Sequence, residues 1–292
     1  MSSARRLSRV GAAAALLLVV TACGGRADGI ADPPSPDPGQ LDPGTLAIRV
    51  EYTGGFVPAT VISSRLPLVS IYGDGRVITE GAVPAIFPGP ALPNVQQRRV
   101  APESVALLVR KALDAGVGTA TDLGRPSVTD MPDTRFTVTT ADGVERLVVY
   151  ALDMTEDGAN AVLTGAQRAA RQKLRDLLTE LQELPMAIGP SEAYPVAALA
   201  VIATPYQEQP PQELPARPAE VAWPGPALPG ERVGQLDVGC VTVTGDAAKA
   251  VLASAGNANA ATPWTSGGKA WSLRMRPLLP DESGCADLAN QR

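Results

Sequence analysis

Apolar positions recur along the chain with two different periods, and the switches between them set the expected fold. Leu46 to Thr53 has strand composition. Leu66 to Ile78 places β-prone runs on either side of Asp74-Gly75, a dipeptide able to supply the positive φ angles of a type I′ hairpin turn. Arg135 to Leu152 repeats the device around Asp142-Gly143. A helical run follows each hairpin. Pro102 suits a first helical position, and Val105, Leu108, Ala112 and Leu113 form one face before Gly116 and Gly118 end it. Leu163, Ala166, Ala170, Leu174, Leu177, Leu181 and Leu184 recur at helical spacing, with Asn160 as the N-cap and Pro185 as the stop. Arg168, Arg171, Lys173 and Arg175 lie off that stripe. They read as a solvated face countered by Asp176, Glu180 and Glu183, in preference to a basic patch for a partner.

Beyond the second helix the periodicity weakens. Val196 to Thr204 reads as either a buried strand or a short apolar helix, because a continuous apolar run does not separate the two. Pro205 to Arg232 holds eight prolines and reads as a linker or wrapping arm. A strand at Val238 to Val243, a helix at Asp246 to Ala255 and a strand at Lys269 to Pro277, alternating Trp271, Leu273 and Met275, complete the chain. The expected fold is α+β: antiparallel β hairpins with two main helices packed on one face, plus a small disulfide-tied C-terminal β-α-β segment. The expected divisions are an α+β domain over 46–205, a Pro-rich linker or arm over 206–234 and the C-terminal segment over 235–292. The hexapeptide PGPALP occurs at Pro88 to Pro93 and again at Pro224 to Pro229. A diverged duplication, two loops of convergent composition, and docking of these polyproline turns in a partner's aromatic groove are three readings of it.

The N-terminal 22 residues change the picture of where the chain works. Arg5, Arg6 and Arg9 precede an uncharged apolar run, Val10 to Val20, that is too short for a bilayer core, which takes roughly 20 apolar residues. It suits the h-region of a signal peptide. Val20-Thr21-Ala22-Cys23 follows, so cleavage is expected between Ala22 and Cys23, with Cys23 lipidated. Two or three acyl chains on that residue make membrane attachment stable. Residues 23–45, rich in Pro, Gly and Asp, then form a tether. Once the leader's three arginines are gone, 22 basic residues face 30 acidic ones, a balance with no electrostatic footprint for nucleic acid.

Three cysteines less one lipidated leave Cys240 and Cys285, in a compartment where disulfides persist. A metal site is the rival use of the pair and a poor one, since the chain has no histidine. That same lack excludes Ser-His-Asp and Cys-His catalysis. No phosphate loop is present. Asp153 to Gly158 fails as a calcium loop at Thr155 and Thr164. Ser-Lys catalysis would need one of four lysines, of which Lys111 and Lys173 are expected to be exposed. A carboxylate pair acting on glycan needs no histidine, although the chain's eleven aromatics include only Trp223, Trp264 and Trp271 as large stacking platforms.

The lipobox at Cys23, the block IYGDGRVI at Ile71 to Ile78 with Gly54-Gly55-Phe56 upstream, and Trp264 followed by KAWSLRMRPLLPDESGC at Lys269 to Cys285 resemble the uncharacterised lipoproteins of actinobacteria, mycobacterial and streptomycete in type. The likeness covers both ends of the exported chain and leaves the middle unmatched. It implies location and architecture, not a reaction. The resulting expectation is a membrane-anchored extracytoplasmic lipoprotein, non-enzymatic, that binds or scaffolds an envelope protein or glycan and needs no cofactor. A carboxylate-dependent hydrolase of cell-wall glycan and a substrate-binding subunit of an importer are the alternatives.

Overall fold

Two hairpins and two amphipathic helices build the first half. The computed structural model describes residues 41–154, 161–208, 218–234 and 238–290, all within one compact unit, Asp37–Arg292. The leader with its cleavage site and Cys23, most of the tether, Asn160 and residues 209–217 lie outside the described residues.

The first sheet has seven strands, every neighbouring pair antiparallel. They are β1 (Leu46–Thr53), β2 (Val69–Tyr72), β3 (Arg76–Glu80), β4 (Val95–Arg99), β5 (Asp133–Thr140), β6 (Gly143–Tyr150) and β7 (Glu192–Ala193), in the order β6-β5-β1-β2-β3-β4-β7. A short helix, α1 (Ala59–Ser64), joins β1 to β2. Ile48, Val50, Ile71, Val77, Phe136 and Val138 project from one face. There they meet Val105, Leu108 and Ala112 of α2 (Pro102–Asp114) and Leu174, Leu177, Leu178 and Leu181 of α3 (Gly165–Ala187). The period-2 and helical stripes thus close one core, as expected.

Local details depart from expectation where turn and cap chemistry decide them. Neither Asp-Gly pair forms the two central residues of a type I′ turn. The first hairpin closes through three residues, Gly73-Asp74-Gly75, with Gly75 at φ 81° and its N–H donated to the Tyr72 carbonyl (2.9 Å). In the second, Thr140 pairs with Gly143 across Ala141-Asp142, neither of which has positive φ. The long helix is capped by Thr164, not Asn160: Thr164 Oγ1 accepts from the Gln167 N–H (3.2 Å) and the Gln167 side chain accepts from the Thr164 N–H (2.8 Å). Pro185 does not end the helix but sits buried inside its last turn, which runs to Ala187. Arg171 is not solvated. It is fully buried, donating to the Tyr150 and Ala151 carbonyls (2.9 and 2.6 Å), while Nε and Nη1 have no partner among the described residues.

The second sheet orders its strands β10-β11-β8-β13-β12-β9. These are β8 (Ala198–Pro205), β9 (Val221–Ala222), β10 (Glu231–Arg232), β11 (Gly239–Thr244), β12 (Trp264–Ser266) and β13 (Lys269–Pro277). All neighbours are antiparallel except β9 and β12. The ambiguous run around residue 200 is β8, a central strand buried on both faces, which is why it shows no alternation. Its pairing with β11 and β13 places it in the C-terminal sheet, so the expected division at 205 does not follow the sheets. The proline-rich stretch supplies two-residue strands at the sheet's two edges, where a missing N–H costs least. Leu199, Val201, Val243, Leu273 and Met275 pack on one face with α4 (Gly245–Ala255) and with Trp223, Trp264 and Trp271. Trp223 meets Trp264 edge-on, ring centres 5.8 Å apart.

On the other face Ala200, Ile202 and Leu288 surround the Cys240–Cys285 disulfide, with Cα atoms 6.0 Å apart. The two cysteines are therefore bonded, as their number predicts, and a short 3₁₀ helix (Cys285–Asn290) continues from the second. The two PGPALP copies are not structurally equivalent. One lies between β3 and β4 with a cis Phe87-Pro88 bond, the other between β9 and β10 with a cis Leu228-Pro229 bond. Both nevertheless touch the second core, through Ala91, Leu92 and Leu228.

Candidate binding cleft

A cleft of about 810 Å³ opens where the first sheet, the loop after β3 and the second sheet meet. Each wall has a local cause. The first is α1 and the chain after it, contributing Val61, Ser64, Arg65, Leu66 and Leu68, with Tyr52 at the end of β1 and Glu80 at the end of β3. The second is the proline-rich arm, residues 83–93. Prolines 84, 88, 90 and 93 leave the arm few N–H groups, and it docks through what remains. Gly89 accepts from the Ala260 N–H (2.8 Å), Ala91 donates weakly to the Ala258 carbonyl (3.4 Å), and Pro90 bridges Asn259. The third wall is the second sheet, with Ile202 and Thr204 of β8 and Ser272 to Met275 of β13.

The cleft's polar groups are unequal in kind. Glu80 is the one carboxylate among the described lining residues, and partial desolvation by the surrounding protein raises its pKa. Burial lowers the pKa of Arg65, which donates to the Gly54 carbonyl (3.3 Å). Arg274 is exposed. Burial, then a hydrogen bond to Asp153, pushes the Tyr52 hydroxyl far above its ordinary range. Val83, Ile86 and Phe87 on the arm are exposed. The site therefore offers apolar surface and two guanidinium groups against one acid.

A clamp of charged residues, with Arg276 and Glu282 at its buried centre, ties the two sheets together. Arg49 Nε donates to Ser70 Oγ (3.2 Å), and its Nη2 lies 2.8 Å from Asp281, which also accepts from the Tyr72 hydroxyl (2.7 Å). Arg276 grips Glu282 with both nitrogens (2.5 and 2.8 Å) and donates Nε–H to the Arg65 carbonyl (3.2 Å), tying β13 to the wall made by residues 65–68. Glu282 also accepts from the Leu279 N–H (2.8 Å). Burial disfavours charge on Glu282, yet the hydrogen bonds and charge of Arg276 outweigh it and hold the carboxyl below its ordinary range. Burial likewise opposes charge on Arg49, and Asp281 and Glu282 reverse it, raising that guanidinium's pKa. Burial, followed by Asp281, drives Tyr72 far upward. Glu282 is bound bidentately and Asp281 accepts from both Arg49 and Tyr72, so this cluster sets geometry and releases no proton near neutrality.

Of the residues singled out in the sequence, the structure joins Cys240 to Cys285, puts Trp223, Trp264 and Trp271 in the second core, and leaves Asp74 and Asp142 in turns. Lys111 is exposed and paired with Glu180. None of these residues lines the cleft. Sequence reading missed Arg49, Arg276 and Glu282. Arg49 and Arg276 alternate with the core residues of Leu46–Thr53 and Lys269–Pro277, so period-2 reading assigns them to solvent, and Glu282 lies in a tail with no period at all. Among the described residues no helix is long and apolar enough to cross a membrane. Against this geometry, no protein-family model, curated protein or solved structure matches the chain.

Proposed function

We propose that the protein is a lipid-anchored, extracytoplasmic binding lipoprotein of the cell envelope, held to the membrane by acylated Cys23 and taking a ligand into the cleft between its sheets. The cleft carries the binding part of this reading. Its volume lies in the range of sites that enclose small ligands. Its walls pair apolar surface with a few polar groups, and its shape is pinned by a clamp whose ion pairs use none of the lining's own charged side chains. A glycan hydrolase would need two carboxylates at the reacting bond, and the described lining presents one. Two sheets of different size and strand order also differ from the matched lobes expected of an importer subunit. The charged leader, its short apolar run and the Ala22-Cys23 junction support the anchor.

Fractionation of cells expressing Cys23→Ala tests the attachment. The variant is expected in the medium and the wild-type chain in the membrane, with an acylated Cys23 as its first residue by intact mass. Membrane retention of the variant with an unmodified cysteine in the wild type would overturn it.

A further inference from the structure

We infer that the ligand of the cleft is an extended, acidic peptide segment that adds as a strand to the open edge of β13. The inference rests on the binding reading and goes past it, to the ligand's chemistry.

Strand β12 pairs with β13 only over Lys269 to Trp271, whereas β8 pairs with it from Trp271 to Pro277. Past Trp271, therefore, one side of β13 has no strand beside it among the described residues. Two hydrogen bonds fix which residues turn that way. The Tyr206 N–H donates to the Ala270 carbonyl (3.0 Å) and the Leu278 N–H to the Ala198 carbonyl (2.9 Å). Backbone direction alternates along an antiparallel strand, so Ser272, Arg274 and Arg276 spend their N–H and C=O groups on β8. Leu273 and Met275 turn theirs to the open side. Neither backbone has a hydrogen-bond partner among the described residues. Their side chains are sunk in the core with α4, and both residues line the cleft.

The open stretch is closed at each end. Strand β12 stops it at Trp271, and at the far end Pro277 has no N–H while its carbonyl accepts from Arg276 (3.3 Å). What remains is two donors and two acceptors repeating at about 7 Å, the two-residue period of a strand. An extended peptide matches that period with its own alternate residues, and main-chain pairing of this kind is a recurrent mode of peptide capture. The arm across the cleft spends its backbone bonds on residues 258–260 and not on β13, and Pro88 and Pro90 have no N–H to offer the edge. Arg65 and Arg274 outnumber Glu80 on the walls, which favours acidic side chains on the incoming strand.

Amide hydrogen exchange on the full chain, resolved to single residues, tests this first without a ligand. Leu273 and Met275 are expected to exchange fast beside a slow Arg274. A random library of short synthetic peptides is then screened, and soluble cell-wall glycan fragments serve as the competing probe. Acidic peptides are expected to bind and to slow Leu273 and Met275 by roughly tenfold or more. N-methylation at alternate backbone nitrogens should abolish binding, and Arg274→Glu should weaken it about tenfold. Slow exchange at Leu273 and Met275 before any peptide is added would overturn the inference. So would binders indifferent to N-methylation. Glycan fragments that shield the cleft where peptides do not would reject the peptide and leave the binding site standing. Protection of the cleft by neither probe would take down both readings.

Discussion

The guanidinium of Arg276 is fully buried, and among the described residues Glu282 is its one partner within salt-bridge distance. Removing one partner of such a pair leaves an uncompensated buried charge, at a cost of about 3–5 kcal/mol. Glu282→Gln is therefore expected to lower the denaturant midpoint at neutral pH by an amount equivalent to about 3 kcal/mol, with the slope unchanged. A loss under about 1 kcal/mol would show that the clamp is a minor tie. The pH dependence has a defined sign. The folded-state pKa of Glu282 is depressed, so its stabilisation is present above the unfolded value of about 4.3 and disappears as pH falls through the folded value. The wild type should accordingly lose stability on acidification faster than the Gln variant.

Long, strongly periodic elements were legible in the sequence because burial alone writes them. The stripes of α2 and α3 and the alternation of β5 and β13 name their own inward faces. Boundaries were less legible, since they depend on which of several capping groups wins. Asn160 and Thr164 both suit an N-cap by type, and only Thr164 has Gln three residues on to complete a capping box. Thr164→Ala should cost about 1 kcal/mol, visible as an equal fall in stability and as lost helical signal near the start of α3. An unchanged unfolding curve would mean that the cap carries nothing. The candidate site was almost illegible. Its walls come from α1, the arm, β8 and β13, parts separated by most of the chain, and no local period records that such parts converge. The clamp was hidden for the opposite reason. Arg49 and Arg276 occupy positions that read as solvent-facing on an isolated sheet, and the tail residues Asp281 and Glu282 turn them inward.

At the scale of the molecule, the tail after β13 is what both sheets share. Asp281 and Glu282 hold the first sheet through Arg49, and Cys285 is bonded to β11 a few residues later. The bridge closes a loop of 45 residues, for which chain entropy gives about 4 kcal/mol. Cys285→Ser should cost up to that amount and should destabilise both sheets together. All three tryptophans lie in the second core, whereas the two longest helices, α2 and α3, lie in the first, so fluorescence reports the second half and helical circular dichroism mainly the first. Coincident transitions are expected in wild type and variant, and two separated transitions would show that the tail does not couple them. The entry of the chain has a consequence for presentation. Thr45 and Pro43 accept hydrogen bonds from Gly73 and Asp74, so the polypeptide arrives beside the first hairpin's turn, while Tyr52, about 20 Å further along β1, stands at the cleft. Chain entry and cleft wall thus stand at opposite ends of a single strand, so whatever is joined ahead of residue 41 meets the folded chain about 20 Å away from Tyr52.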